Sequence, residues 1–116
     1  MWGNKTLIAN ARVSISALSS TAQTAFAASG ISGDQGNQVI IGVILRGGAA
    51  QRVVTFRAVD DAPVYFAVSV PVAGLIMPFP FAFPAVEGLE VLTDSVTADV
   101  GIDFLYYKPG ALGLGL

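Results

Sequence analysis

The chain has 116 residues, the length of one domain, and contains no cysteine and no histidine. Disulfides, thiolate nucleophiles, Cys-ligated zinc and His-centred triads are thereby excluded. Charged residues make up only 12% against 53% apolar, and the net charge is −2, so no basic surface is available to neutralise phosphates and nucleic acid is not an expected ligand.

The first residues, MWGNKTLIANARVSIS, lack a continuous apolar stretch followed by a small-residue cleavage site, so they do not read as a signal peptide and synthesis in a cytoplasm is expected. Residues 1–11 are expected to form an N-terminal arm. Val13 and Ile15 then alternate with polar neighbours as in a strand, and a polar, small-residue stretch follows; no apolar face recurs at helical spacing despite the alanines. QVIIGVILR, residues 38–46, is apolar on both parities, which predicts a strand covered on both faces. In QRVVTFRA, Val54, Phe56 and Ala58 share one face, with Gln51, Thr55 and Arg57 opposite.

From Ala62 to Val86 there is no charged side chain. A membrane-spanning helix of about 20 residues would fit that length. Pro63, Pro71, Pro78, Pro80 and Pro84 oppose it, since each interior proline costs a helix roughly 3 kcal/mol; no membrane partner is expected. With period two, Val64, Phe66, Val68 and Val70 fall on one face of VYFAVSV, and Leu75, Met77, Phe79, Phe81 and Phe83 on one face of LIMPFPFAF. Pro78, Pro80 and Pro84 all have the other parity, so they silence donors along one side only, as in an edge strand protected against further pairing. A Pro-rich irregular loop is the alternative. In ADVGIDFLYY, Val100, Ile102, Phe104 and Tyr106 are expected inward, with Asp99, Gly101 and Asp103 outward. The turn signals RGGAAQ, VDDAP, VEG and TDS separate these segments. Together they predict an all-β chain forming a single antiparallel β-sandwich of about seven or eight strands over residues 12–108, with a flexible C-terminal tail over 109–116.

Candidate chemistry rests on carboxylates. Asp60, Asp61 and Asp94 sit in turn signals, where aspartate serves its own backbone. Asp99 and Asp103 share a strand face but stand four residues, about 13 Å, apart, too far for a catalytic pair. The glycines of RGG and GISGDQG lack the lysine and helix of a phosphate loop. No catalytic residue, metal ligand or cofactor is assigned.

The segment order VVTFRAVDDAP, VYFAVSVP, then VEGLEVLTDSVTADVGIDFLYYK, over roughly residues 38–108, resembles that of small capsid decoration or cement proteins of tailed bacteriophages. The resemblance implies a jelly-roll-like sandwich. It also implies a non-enzymatic virion protein on the capsid surface, made in the bacterial host's cytoplasm, whose partners are the major capsid protein and copies of itself, as a homotrimer. Low charge and contiguous phenylalanines also point to oligomerisation. The residues expected at interfaces are Trp2, Leu7 and Ile8 in the arm, Phe79, Phe81 and Phe83 in the proline-flanked segment, and Leu112, Leu114 and Leu116 in the tail. A receptor- or glycan-binding head of a phage fibre or spike is the competing reading. Such a site normally sets Trp or Tyr beside Asp or Asn in a loop, whereas the only tryptophan is Trp2, and Tyr106 and Tyr107 end a strand.

Overall fold

The computed structural model describes residues 11–28, 37–59, 63–77 and 80–106. Among them are nine strands and no helix: β1 (Ala11–Leu18), β2 (Gln23–Phe26), β3 (Asn37–Arg46), β4 (Arg52–Arg57), β5 (Val64–Val70), β6 (Leu75–Met77), β7 (Phe81–Pro84), β8 (Leu89–Thr93) and β9 (Val100–Tyr106). One sheet has the order β1-β9-β3-β6, with β7 also paired to β3, and the other has the order β2-β8-β4-β5. Every pairing is antiparallel. Strands consecutive in the chain take the same rank in the two sheets: β1 with β2, β9 with β8, β3 with β4, and β6 and β7 with β5. That is the strand order of a jelly roll whose sixth strand is broken in two.

The uncharged run expected to be strand rather than helix is divided among β5, β6 and β7. In β6 and β7 the odd residues do turn inward: Met77 and Phe83 are buried, while Ile76 and Ala82 face out. The segment lies at a sheet edge, as the prolines predict, but as two short strands rather than one. β6 pairs with Val43 to Leu45 of β3 and β7 with Asn37 to Ile40. Pro71 and Pro84 terminate their strands in turns that use the carbonyl a proline still has. Pro71 O accepts from Gly74 N at 2.9 Å, and Pro84 O from Glu87 N and Gly88 N. Gly74 and Gly88 have φ of 88° and 71°, values that strain any residue with a Cβ.

Two bulges alter the expected faces. In β3, Ile40 opposes Tyr106 and Gly42 opposes Leu105, so Ile41 is an extra residue and the inward parity shifts from Ile40 to Val43 and Leu45. The apolar character of both parities in this strand thus reflects a change of register rather than two equally covered faces; Val39, Ile41 and Ile44 are half-buried. In β5, Phe56 opposes Phe66 and Arg57 opposes Val64, which leaves Tyr65 as the extra residue. Val64, expected inward, is 60% exposed, and Tyr65 instead turns in to stack on Phe83 at 5.9 Å between ring centroids. β2 goes beyond the expected strands. It lies in the polar stretch after β1 and is held by β8.

The core joins the sheets through aromatic rings. Phe56 of β4 stacks on Phe66 of β5 at 4.5 Å and meets Phe104 of β9 edge-on at 6.0 Å; Phe26 meets Phe104 at 5.7 Å and Tyr106 at 5.0 Å. Leu18, Ile40, Val54, Leu89, Val91, Val100 and Ile102 fill the space between them and are fully buried. Truncating Phe104 to alanine removes its ring contacts to Phe26 and Phe56 of the opposite sheet and is expected to cost about 3–5 kcal/mol in urea unfolding. A loss below about 1 kcal/mol, the range of surface substitutions, would show that the ring does not join the sheets.

Candidate interaction surfaces

The charged side chains show how much of the chemistry is already committed. Arg52 on β4 grips Asp99, with Nη2 2.8 Å from Oδ2 and Nε 3.2 Å from Oδ1, and Asp99 Oδ2 also accepts from Ala49 N at 2.8 Å. The carboxylate therefore ties the β3–β4 loop to the start of β9. Gly48 is required there, because a Cβ would collide with the Asp99 carboxylate. Arg52 first, and then the Ala49 amide, hold the Asp99 carboxyl below the ordinary range. Asp94, in the β8–β9 loop, accepts from Val53 N at 3.1 Å. Asp94 is a turn carboxylate that binds backbone, as its sequence position implies, whereas Asp99, expected on the outer face of the last strand, lies just before β9 and binds the β3–β4 loop.

Asp103 lies on the outer face of β9, opposite Ser14 of β1 and Ile44 of β3. Its Oδ2 accepts from Arg46 Nη1 at 2.6 Å, with Arg12 Nη2 3.8 Å away. The Arg46 guanidinium lies over Gly101, where a side chain would displace it. Oδ1 is buried with no partner inside hydrogen-bond distance. The Ser14 hydroxyl, beside the carboxylate on β1, accepts from Arg12 Nε at 3.1 Å. Ser14 first, against the opposing effect of burial, and then Arg46 and Arg12 lower the Asp103 carboxyl below its ordinary range. On the other sheet Arg57 pairs with Glu90. The Tyr65 hydroxyl lies 3.0 Å from Glu87 Oε1 and 2.9 Å from Gly88 O, and burial, reinforced by Glu87, pushes its ionisation up. Among the described residues no three His, Cys, Asp or Glu side chains gather to hold a metal.

Of the residues expected at interfaces, Trp2, Leu7, Ile8, Phe79, Leu112, Leu114 and Leu116 lie outside the described residues, as do Asp60 and Asp61. Phe81 is half-buried against Phe66 at 5.1 Å. Phe83 is 2% exposed, between Tyr65 and Phe26, so its ring serves the domain's own core instead of an outward surface. The apolar side chains that do protrude are different ones. Val96 is 87% exposed in the β8–β9 loop, Val72 59% in the β5–β6 turn, and Ile76 67% on the outer face of β6. Gly47 packs so closely on the Val72 carbonyl that a Cβ would clash with it, while Gly48 touches Asp99. The loops bearing Val72 and Val96 therefore both reach the β3–β4 loop, at one end of the sandwich. A valine amid the polar residues of TDSVTAD was the available signal for Val96, and the even parity of Ile76 was the signal for its outward turn. No known protein family, curated protein or solved structure matches the chain.

The depressed carboxyls predict acid sensitivity with a defined sign. Below their unfolded values of about 3.9 the unfolded chain takes up protons that native Asp99 and Asp103 resist. Their stabilisation is present above about pH 4 and is lost as pH falls through the lower native values. Asp99→Asn is expected to lower the melting temperature at neutral pH and to flatten its decline below about pH 4. An unaltered acid slope in this variant would assign the acid sensitivity elsewhere.

Proposed function

We propose that the chain is a structural virion protein, a decoration or cement subunit. It binds the outer surface of a tailed-phage head and stabilises it through contacts with the major capsid protein and with copies of itself. One observation carries this reading. Every ionised side chain among the described residues is engaged inside the domain: Arg12 and Arg46 with Asp103, Arg52 with Asp99, Arg57 with Glu90, Asp94 with the β4 backbone and Glu87 with Tyr65. The domain also offers apolar side chains outward, Val72 and Val96 on one loop end and Ile76 and Val64 on strands. Such a surface suits adhesion to another protein better than acid–base chemistry or charge recognition. The jelly-roll strand order agrees by fold analogy, since capsid proteins use it, although lectins and other proteins use it too.

The reading is tested by co-sedimenting the purified chain with heads of the phage that encodes it, stripped of accessory proteins. Saturable binding at a fixed copy number per head, with an increase in the temperature at which heads rupture, is the expected result. Binding is expected to weaken in Val72→Asp and Val96→Asp, whose exposed positions leave the fold intact. No binding to heads, combined with binding to bacterial surface glycans, would replace the proposal with the receptor-binding reading.

A further inference from the structure

We propose that β5 is a docking edge at which two copies of this chain pair antiparallel about a two-fold axis, so that their four-stranded sheets continue into one another. The sandwich has four lateral edges: β1 on one side of the first sheet with β6 and β7 on the other, and β2 and β5 on the two sides of the second. Three carry devices that discourage further pairing. β1 presents Arg12, its side chain 64% exposed, and shifts register between Ile15 and Leu18. β2 has four residues and an irregular register. The β6 and β7 edge is broken in the middle, and Pro84 in β7 lacks an N–H. β5 differs from all of these. It is a seven-residue strand with no charged residue, paired only to β4 among the described residues, and its single bulge is confined to Tyr65 at one end. Alternate N–H and C=O groups along its outer side point away from β4 and form a template that another extended strand can pair with in place of water.

The sequence of β5 favours its own copy as that strand. With the axis at Ala67, Phe66 falls opposite Val68, Tyr65 opposite Ser69 and Val64 opposite Val70. Parity is preserved over the central residues Phe66 to Val68, so the inward Phe66 and Val68 of each copy would extend a shared core, while the bulge at Tyr65 confines the matched register to that centre. The exposed Ala67 pair is small enough for close approach, and no charge meets its like. A two-fold contact of this kind is self-complementary and closes at two copies. It therefore predicts an even-numbered assembly, unlike the trimer that the phage resemblance implies, and it stands independently of the proposed function.

Sedimentation of the full chain tests it. The wild type is expected to be a dimer at micromolar concentration. Ala67→Lys and Ala67→Glu each set like charges face to face, and each is expected to weaken dimerisation by about tenfold or more with unchanged melting temperature. Mixing the two variants restores the dimer, because opposite charges then meet. A wild type that is monomeric or trimeric, variants that stay dimeric, or a mixture that fails to recover would overturn the proposal. Hydrogen exchange of the wild type gives a reading free of substitutions. Protection of β5 amides that rises with protein concentration supports self-pairing. Protection that is independent of concentration, or that arises only when phage heads are added, overturns it.

Discussion

The contact between Phe56 and Phe104 is the interaction on which the domain depends. Phe56 belongs to the β2-β8-β4-β5 sheet and Phe104 to the other; both are fully buried, and their rings meet nearly perpendicular at 6.0 Å. Edge-to-face packing of this kind adds roughly 0.5–1.5 kcal/mol to the burial of the rings themselves. Around it Phe66, Phe81, Phe26 and Phe83 form a continuous aromatic layer, so the phenylalanines that make the sequence look adhesive are largely used inside. The aliphatic residues of β8 and β9 close the layer. The strands reach this arrangement only if their registers place those rings on the inner faces.

Register is where the ion pairs act. Arg46–Asp103 links β3 to β9, Arg12–Asp103 links β1 to β9, and Arg57–Glu90 links β4 to β8. Each joins strands that are already neighbours. Asp103 and Glu90 are nearly buried although they lie on outer faces, and a one-residue slip would swap every side chain between core and surface. It would also leave a desolvated carboxylate without its guanidinium, a costly state for the wrong pairing. The clips therefore discriminate against misregistered sheets, whatever their net contribution to the correct one.

Much of this was legible from residue alternation. β4 and β9 follow period two without interruption, and Val54, Phe56, Val100, Ile102 and Phe104 are buried as their parity requires. Asp94, in a turn signal, is a backbone ligand for the same physical reason that makes aspartate common in turns. The bulges at Ile41 and Tyr65 were not legible, because one inserted residue shifts the inward parity without changing composition. β2 was hidden for a related reason: its Gln23 and Thr24 are exposed and its pairing comes from β8, far away in sequence. Phe83 looked available because counting apolar residues does not say how many a nine-strand sandwich can bury.

The low charge of the chain and the pairing of its charges have a joint consequence. An ordinary domain keeps copies apart with free surface charge, and it guards its sheet edges with lysine. Here the arginines of the described strands are neutralised by carboxylates on neighbouring strands or loops, so they fix register but project little field. Apart from the exposed Arg12 on β1, defence against association is left to backbone devices: Pro84 and the break between β6 and β7, the irregular register of β1, and the shortness of β2. Such devices act only where they occur along an edge, whereas charge acts over about 8 Å at physiological ionic strength. A protein built this way is protected edge by edge rather than as a whole. Contacts can therefore form at particular places on its surface without being opposed by the rest of it, which is the property a subunit needs when it must adhere in one orientation.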